Sequence, residues 1–159
     1  MQEQFKLIRQ TRKRFIELVS SLSVEQLNEI PKGMNNNIAW NFGHIVAAQQ
    51  GLCNGLSGLS LNVPPDFIEG YKKGTKPEAF IPQEDIDRFK VYAVSNIDYL
   101  EKALADNIFD VYQPYVTSYG YELNNIEDAI RFFTIHDSLH LGYAMALRKN
   151  LSTSTHLKS

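Results

Sequence analysis

The chain has 159 residues, enough to bury a core of its own, and its 43% hydrophobic and 21% charged residues describe a soluble globular protein rather than a disordered one. A formal net charge of −2 excludes a nucleic-acid binder that works by bulk electrostatics. The N-terminus MQEQFKLIRQTRKRF lacks the apolar core of a signal peptide, and no apolar run approaches about 20 residues. With Cys53 as the single cysteine, no internal disulfide can form, so a cytoplasmic location with no membrane partner is expected.

Residues 2–22 carry Phe5, Ile8, Phe15, Val19 and Leu22 at helical spacing, while Lys6, Arg9, Lys13 and Glu17 face elsewhere. Arg12 falls on the apolar stripe itself; its stem is expected to pack and its head to reach an edge of the helix. Ser23 to Gln26 has the form of a capping box and predicts a short helical turn. Pro31 and Gly33 break the chain, and Asn35, Asn36 and Asn37 offer N-caps for a second long helix, NIAWNFGHIVAAQQGLCNGL. His44 lies inside it, flanked by Asn41, Ala47, Ala48 and Gly51; such small neighbours permit either close helix contact or a cavity. Gly55 and Gly58 end the helix.

From Ser57 to Pro82 the prolines and glycines predict a long loop that carries function or crosses a bundle. A third helix starts at Pro82, with Ile86, Phe89, Ala93, Ile97, Leu100 and Leu104 as its stripe. Residues 107–124 read as an aromatic loop or irregular strand around Pro114 and Gly120. Asn124, with Glu127 three positions later, caps a fourth helix. The architecture expected is all-α, a four-helix bundle with one long crossover connection, forming a single domain over 1–151. The polar tail 152–159 is expected to fray, which discounts His156.

On the fourth helix Ile126, Ala129 or Ile130, Phe133, His136, His140, Ala144 and Leu147 recur at steps of three and four. At about 100° per residue, His136 and His140 stand one above the other on the apolar stripe. Two imidazoles so placed either clamp one metal ion or are simply hydrogen-bonded in the core. The run HDSLH is close to the zinc-protease motif, but Asp137 is a methylene short of Glu. No Asp or Glu follows His140, and Tyr143 and Ala146 stand where an extended motif needs Gly and His, which argues against a protease. Cys53 lies nine residues from His44, on the opposite helical face, and reads as a buried structural thiol.

The pairing of WNFGHIVAAQ with HDSLHLGY resembles the DinB-like metal-binding proteins, related to the YfiT-type metal-dependent hydrolases, over nearly the whole chain. The resemblance implies that His44, His136 and His140 bind one divalent metal, zinc or nickel, inside a four-helix bundle. Many such proteins end the motif with Gly-Gln, whereas Tyr143 follows Gly142 here, a change in the pocket lining. Three neutral imidazoles with no obvious fourth protein ligand make the open, catalytic kind of site. The resemblance implies either hydrolysis or transfer of a low-molecular-weight thiol to a small-molecule substrate; the alternative is a non-catalytic metal- or ligand-binding stress-response protein. Hydrolysis would be favoured by a carboxylate beside the metal. Asp137, about 100° round from His136 and free to face a neighbouring helix, and Glu122 are the candidates. Trp40 and Asn41 are expected near the pocket mouth with Tyr119, Tyr121 and Tyr143; the tyrosines of the aromatic loop either cover the metal or plug the bundle end. No nucleic acid is expected as a partner, and a homodimer is a possible assembly.

Overall fold

Helix α1 (Gln2–Ser20) turns Phe5, Ile8, Phe15 and Val19 inward as their spacing predicts and Leu18 with them, while Leu22 lies beyond its end and is half-buried. The computed structural model describes residues 1–151, so the tail 152–159 and His156 lie outside the described residues. The short α2 (Val24–Asn28) is closed by the predicted capping box. The Ser23 hydroxyl accepts the Gln26 N–H, and the Gln26 side chain accepts the Ser23 N–H.

Helix α3 (Ile38–Gln49) begins where the Asn37 side chain accepts the Trp40 N–H at 2.8 Å. Ile38 through Ala47 are all buried, as befits a helix with neighbours on every side. Beyond Gln49 the turns widen into a π-helical stretch, Gln50–Gly55, where the Leu56 N–H donates to the Gly51 carbonyl at 3.0 Å. Gly58, at φ +68°, supplies the left-handed residue that redirects the chain.

The segment from Ser57 to Pro82 is not all loop: it contains α4 (Pro65–Tyr71). Pro65 suits a first helical position, because its missing N–H would have no partner there. Phe67 anchors the helix, with its ring 5.0 Å from Phe89, 5.5 Å from Tyr92 and 4.9 Å from Tyr71. Seven residues hold too few turns to show a period, so this helix depends on its aromatic contacts.

Helix α5 (Gln83–Ala105) follows Pro82 with Glu84 and Asp85 in its first turn, where the helix dipole favours them. The aromatic stretch then forms an antiparallel hairpin, β1 (Tyr115–Val116) and β2 (Glu122–Leu123), with Tyr115 opposite Leu123 and Gly120 at φ +73° in the turn. Helix α6 (Ile126–Lys149) is capped by Asn125 rather than Asn124. The Asn125 side chain accepts the Asp128 N–H at 2.9 Å, and the Asp128 carboxylate accepts the Asn124 N–H at 3.1 Å. The side chain that meets the first turn is therefore that of Asn125, one residue later than predicted.

Helices α1, α3, α5 and α6 form the bundle: α1 and α3 each pack on both α5 and α6 and lie diagonal to one another. Two apolar clusters fill it, one around Phe15, Phe42 and Phe89 and the other around Ile8, Leu100 and Phe133. Arg12 departs from its expected edge position and stays inside, 1% exposed. Its guanidinium donates to Asp137 Oδ2 at 2.9 Å, Gln49 Oε1 at 2.8 Å and the Ala93 carbonyl at 3.1 Å. Gln49 in turn donates to the Asn96 carbonyl at 3.0 Å, so every helix of the bundle joins one buried network. A carboxylate and several carbonyls offset the cost of taking the cation out of water; a snorkelling head would forgo them. No described helix is long and apolar enough to cross a membrane.

Candidate metal centre

Two adjacent helices bring three histidines together. His44 comes from α3; His136 and His140 come from α6, one turn apart on the face that α3 covers. One ring nitrogen from each lies within 4.8 Å of the other two. The ring centroids of His44 stand 5.2 Å from His136 and 4.7 Å from His140, and those of His136 and His140 are 4.5 Å apart.

Two of the three imidazoles are held from behind. His44 Nδ1 lies 2.6 Å from the Tyr71 carbonyl, an atom that can only accept, so Nδ1 carries the proton and Nε2 keeps its lone pair. His140 Nδ1 likewise donates to Asn41 Oδ1 at 2.7 Å. That amide cannot be turned round, because its Nδ2 already donates to the Asn37 carbonyl at 2.7 Å. His136 Nδ1 faces Asp137 Oδ1 at 3.7 Å, too far for a hydrogen bond, and both buried atoms lack any partner. Trp40 stacks on His44 at 4.7 Å with 10° between the planes and donates its indole N–H to Thr75 at 3.1 Å.

Why the chain can do this locally is visible at Gly43. A Cβ there would come within 2.6 Å of the Tyr71 ring, so only glycine lets α4 press against α3 closely enough to bring the Tyr71 carbonyl onto His44.

Burial pushes the His44 imidazole down to about 4, against its hydrogen bond to the Tyr71 carbonyl, which raises it. Burial, with repulsion from His136 and His44, takes His140 down to about 3. Both rings are therefore neutral at pH 7, the form a metal ligand needs. Burial alone would raise the Asp137 carboxyl, but Arg12 and His136 together outweigh it and hold it below the usual carboxylate range. Ligand nitrogens round a tetrahedral ion with bonds of about 2.0–2.1 Å lie about 3.3 Å apart. The donor set, the fixed tautomers of His44 and His140 and the spacing fit a divalent ion.

The histidines open onto a cavity of about 440 Å³. Ala47, Ala48, Gly51, Leu52 and Leu56 from α3 and its extension, Ile68, Lys72 and Lys73 from α4 and its end, and Phe132 and Leu139 from α6 line it. Tyr115, Thr117, Ser118 and Tyr119 of the hairpin complete the wall. Trp40 and Asn41, expected at the mouth, are instead buried outside the lining, where they hold His44 and His140. Tyr121, Glu122 and Tyr143 are exposed and outside the lining as well, and Asp137 is turned to Arg12. Glu122 points away because the neighbour it alternates with in β2, Leu123, takes the buried face. Cys53 is fully buried, its thiol raised by burial, and makes no part of the site.

Sequence reasoning missed the Tyr71 carbonyl, the Arg12–Asp137 pair and the two lysines. A backbone acceptor leaves no mark in the sequence. The buried pair left a trace, since Arg12 and Asp137 are opposite charges that both interrupt inward-facing positions.

Fold and site together define a helical-bundle protein with a three-histidine centre opening on an apolar cavity. The family model of the DinB superfamily matches residues 7–144, a span that includes all three histidines, and the chain belongs to that superfamily. Among solved structures it is similar to a conserved protein from Enterococcus faecalis, with a TM-score of 0.61 at 12% identity over 94% of this chain and 95% of that one. At that identity the likeness speaks for the fold. No curated protein matches the chain.

Proposed function

We propose that the protein is a metal-dependent enzyme that joins a low-molecular-weight thiol to a small electrophile, with zinc or nickel held by His44, His136 and His140. The observation that carries this reading is the make-up of the cavity wall: three imidazoles face it, and among its lining residues there is no Asp or Glu. A divalent ion in such a site keeps its full charge and open positions, and supplies acidification of a thiol or water there.

Hydrolysis would call for a general base within hydrogen-bond reach of the attacking water. Asp137 is occupied by Arg12, and Glu122 lies outside the lining. Thiol transfer makes no such demand, since an acidified thiol releases its proton to solvent. Tyr71 and Asn41 hold two imidazoles in one tautomer and orientation, and Leu52, Leu56, Phe132 and Leu139 keep the wall dry.

The test is metal analysis of the purified protein, followed by thiol consumption with a series of low-molecular-weight thiols and a reactive alkyl halide. Turnover should depend on bound metal and vanish in His136→Ala. Metal-dependent hydrolysis of an activated ester with no thiol effect would overturn thiol transfer. Stoichiometric metal with neither activity would leave a binding protein.

A further inference from the structure

We propose that the cavity takes a small amphipathic anion, a carboxylate, sulfonate or phosphate joined to an apolar body. This deepens the functional reading and rests on it in one respect, that the cavity is where the substrate sits.

The charge of the wall is one-sided. The protein as a whole carries a formal charge of −2, yet the charged side chains lining this cavity are Lys72 and Lys73, with no Asp or Glu among the lining residues. Lys72 shares its ammonium with Glu69 at 2.5 Å on the exposed side of α4. Lys73 has no ion-pair or hydrogen-bond partner among the described residues. Lysines without a partner, such as Lys13, Lys32 and Lys76, also stand elsewhere on the surface, so what marks Lys73 is its place in the lining of a cavity that holds no Asp or Glu.

The rest of the wall dictates the other half of the ligand. Leu52, Leu56, Ile68, Phe132 and Leu139 offer carbon surface in the same wall as the histidines and the lysines. A cavity of about 440 Å³ is within the range that encloses small molecules. A fully polar anion would leave that surface unmatched, and an uncharged apolar compound would leave Lys73 unmatched. An apolar body with an anionic end satisfies both. The hydroxyls of Thr117 and Ser118 on the same wall can donate to that end as well.

The arrangement also sets how the cavity is charged. Lys72 and Lys73 follow directly on Tyr71, whose carbonyl holds His44. One short stretch of chain therefore places both the histidine floor and the cationic rim.

The probes are 4-phenylbutanoate and its uncharged amide, titrated by calorimetry into metal-free and zinc-loaded protein. The metal-free protein isolates the lysines from the charge of the ion. There the acid should bind about fivefold more tightly than the amide, the effect expected of one or two partly exposed ion pairs. Lys72→Gln/Lys73→Gln should bring the two affinities together by weakening the acid and leaving the amide unchanged. Raising the ionic strength from about 0.01 M to about 0.15 M shortens the screening length from about 30 Å to about 8 Å and should shrink the preference. Both lysines are exposed, so the variant should fold, and circular dichroism checks that it does. Equal binding of acid and amide, binding of neither, or a preference that survives the double substitution would overturn the proposal. Zinc content, measured alongside, separates the two readings. Zinc bound without acid preference removes this proposal and spares the metal site, whereas acid preference without zinc binding does the reverse.

Discussion

Asp137 is the residue on which most of the site's chemistry turns. One of its oxygens accepts from Arg12 at 2.9 Å; the other faces His136 Nδ1 at 3.7 Å with no partner of its own. A cation held by His136 would polarise the Nδ1 side of its ring, and the partnerless Asp137 oxygen is the acceptor that faces it. Asp137→Asn has one acceptor, which Arg12 takes, so the amide must turn its NH2 toward the histidine. Zinc affinity, read by competition with a chromophoric chelator, should fall on the order of 10–100-fold; unchanged affinity would remove Asp137 from the site. The histidines themselves set the pH behaviour. In the unfolded chain they protonate near 6.5, but His44 and His140 in the fold do so only near 4 and 3. Between those values the unfolded state binds more protons, so stability of the metal-free protein falls as pH drops from about 6.5 to about 3. Thermal melts across that range should show the fall, and His140→Ala should flatten it; a flat wild-type profile would contradict the burial argument.

At the scale of elements, the contact between α4 and α3 decides whether the centre is formed. Gly43 allows it, and the Tyr71 ring that would meet a Cβ at 2.6 Å is wedged between Phe67 at 4.9 Å and Phe89 at 5.0 Å, with little room to yield. Gly43→Ala should cost about 1–3 kcal/mol in urea unfolding, as overpacking does, and should lower zinc affinity by releasing His44 from the Tyr71 carbonyl. A stable variant with wild-type affinity would show that α4 shifts without consequence. The Arg12 network ties the other helices. Arg12→Met leaves Asp137 charged and alone in the core, a change that costs about 3–5 kcal/mol. Arg12→Met paired with Asp137→Leu should recover much of the loss, because no charge then remains buried.

For the whole molecule, the bundle should not depend on its metal. Two apolar clusters and a buried polar network hold the four long helices, and the histidines lie beside a cavity rather than among the core residues. Chelation should therefore lower the melting temperature by the few degrees that ligand linkage accounts for and leave the helical signal intact at 25 °C. Collapse of the helical signal on adding chelator would mark the site as structural, since a structural ion contributes folding free energy directly.

Periodicity and capping chemistry are local properties, and by themselves they determined the four long helices, the Ser23 box and the placing of His136 beside His140. Side chains one turn apart on a helix must meet, whatever else the chain does. The resemblance carried by WNFGHIVAAQ and HDSLHLGY added His44, which spacing alone could not reach across 92 residues to His136. What only the tertiary structure decided depends on partners distant in sequence. Arg12 reads as a snorkelling residue until Asp137, Gln49 and the Ala93 carbonyl surround it. A seven-residue helix appears inside a proline-rich stretch because Phe67 finds Phe89 and Tyr92. Trp40 and Asn41 read as pocket residues and prove to hold the histidines from behind, because burial and hydrogen-bond direction belong to the packed fold and not to helical phase.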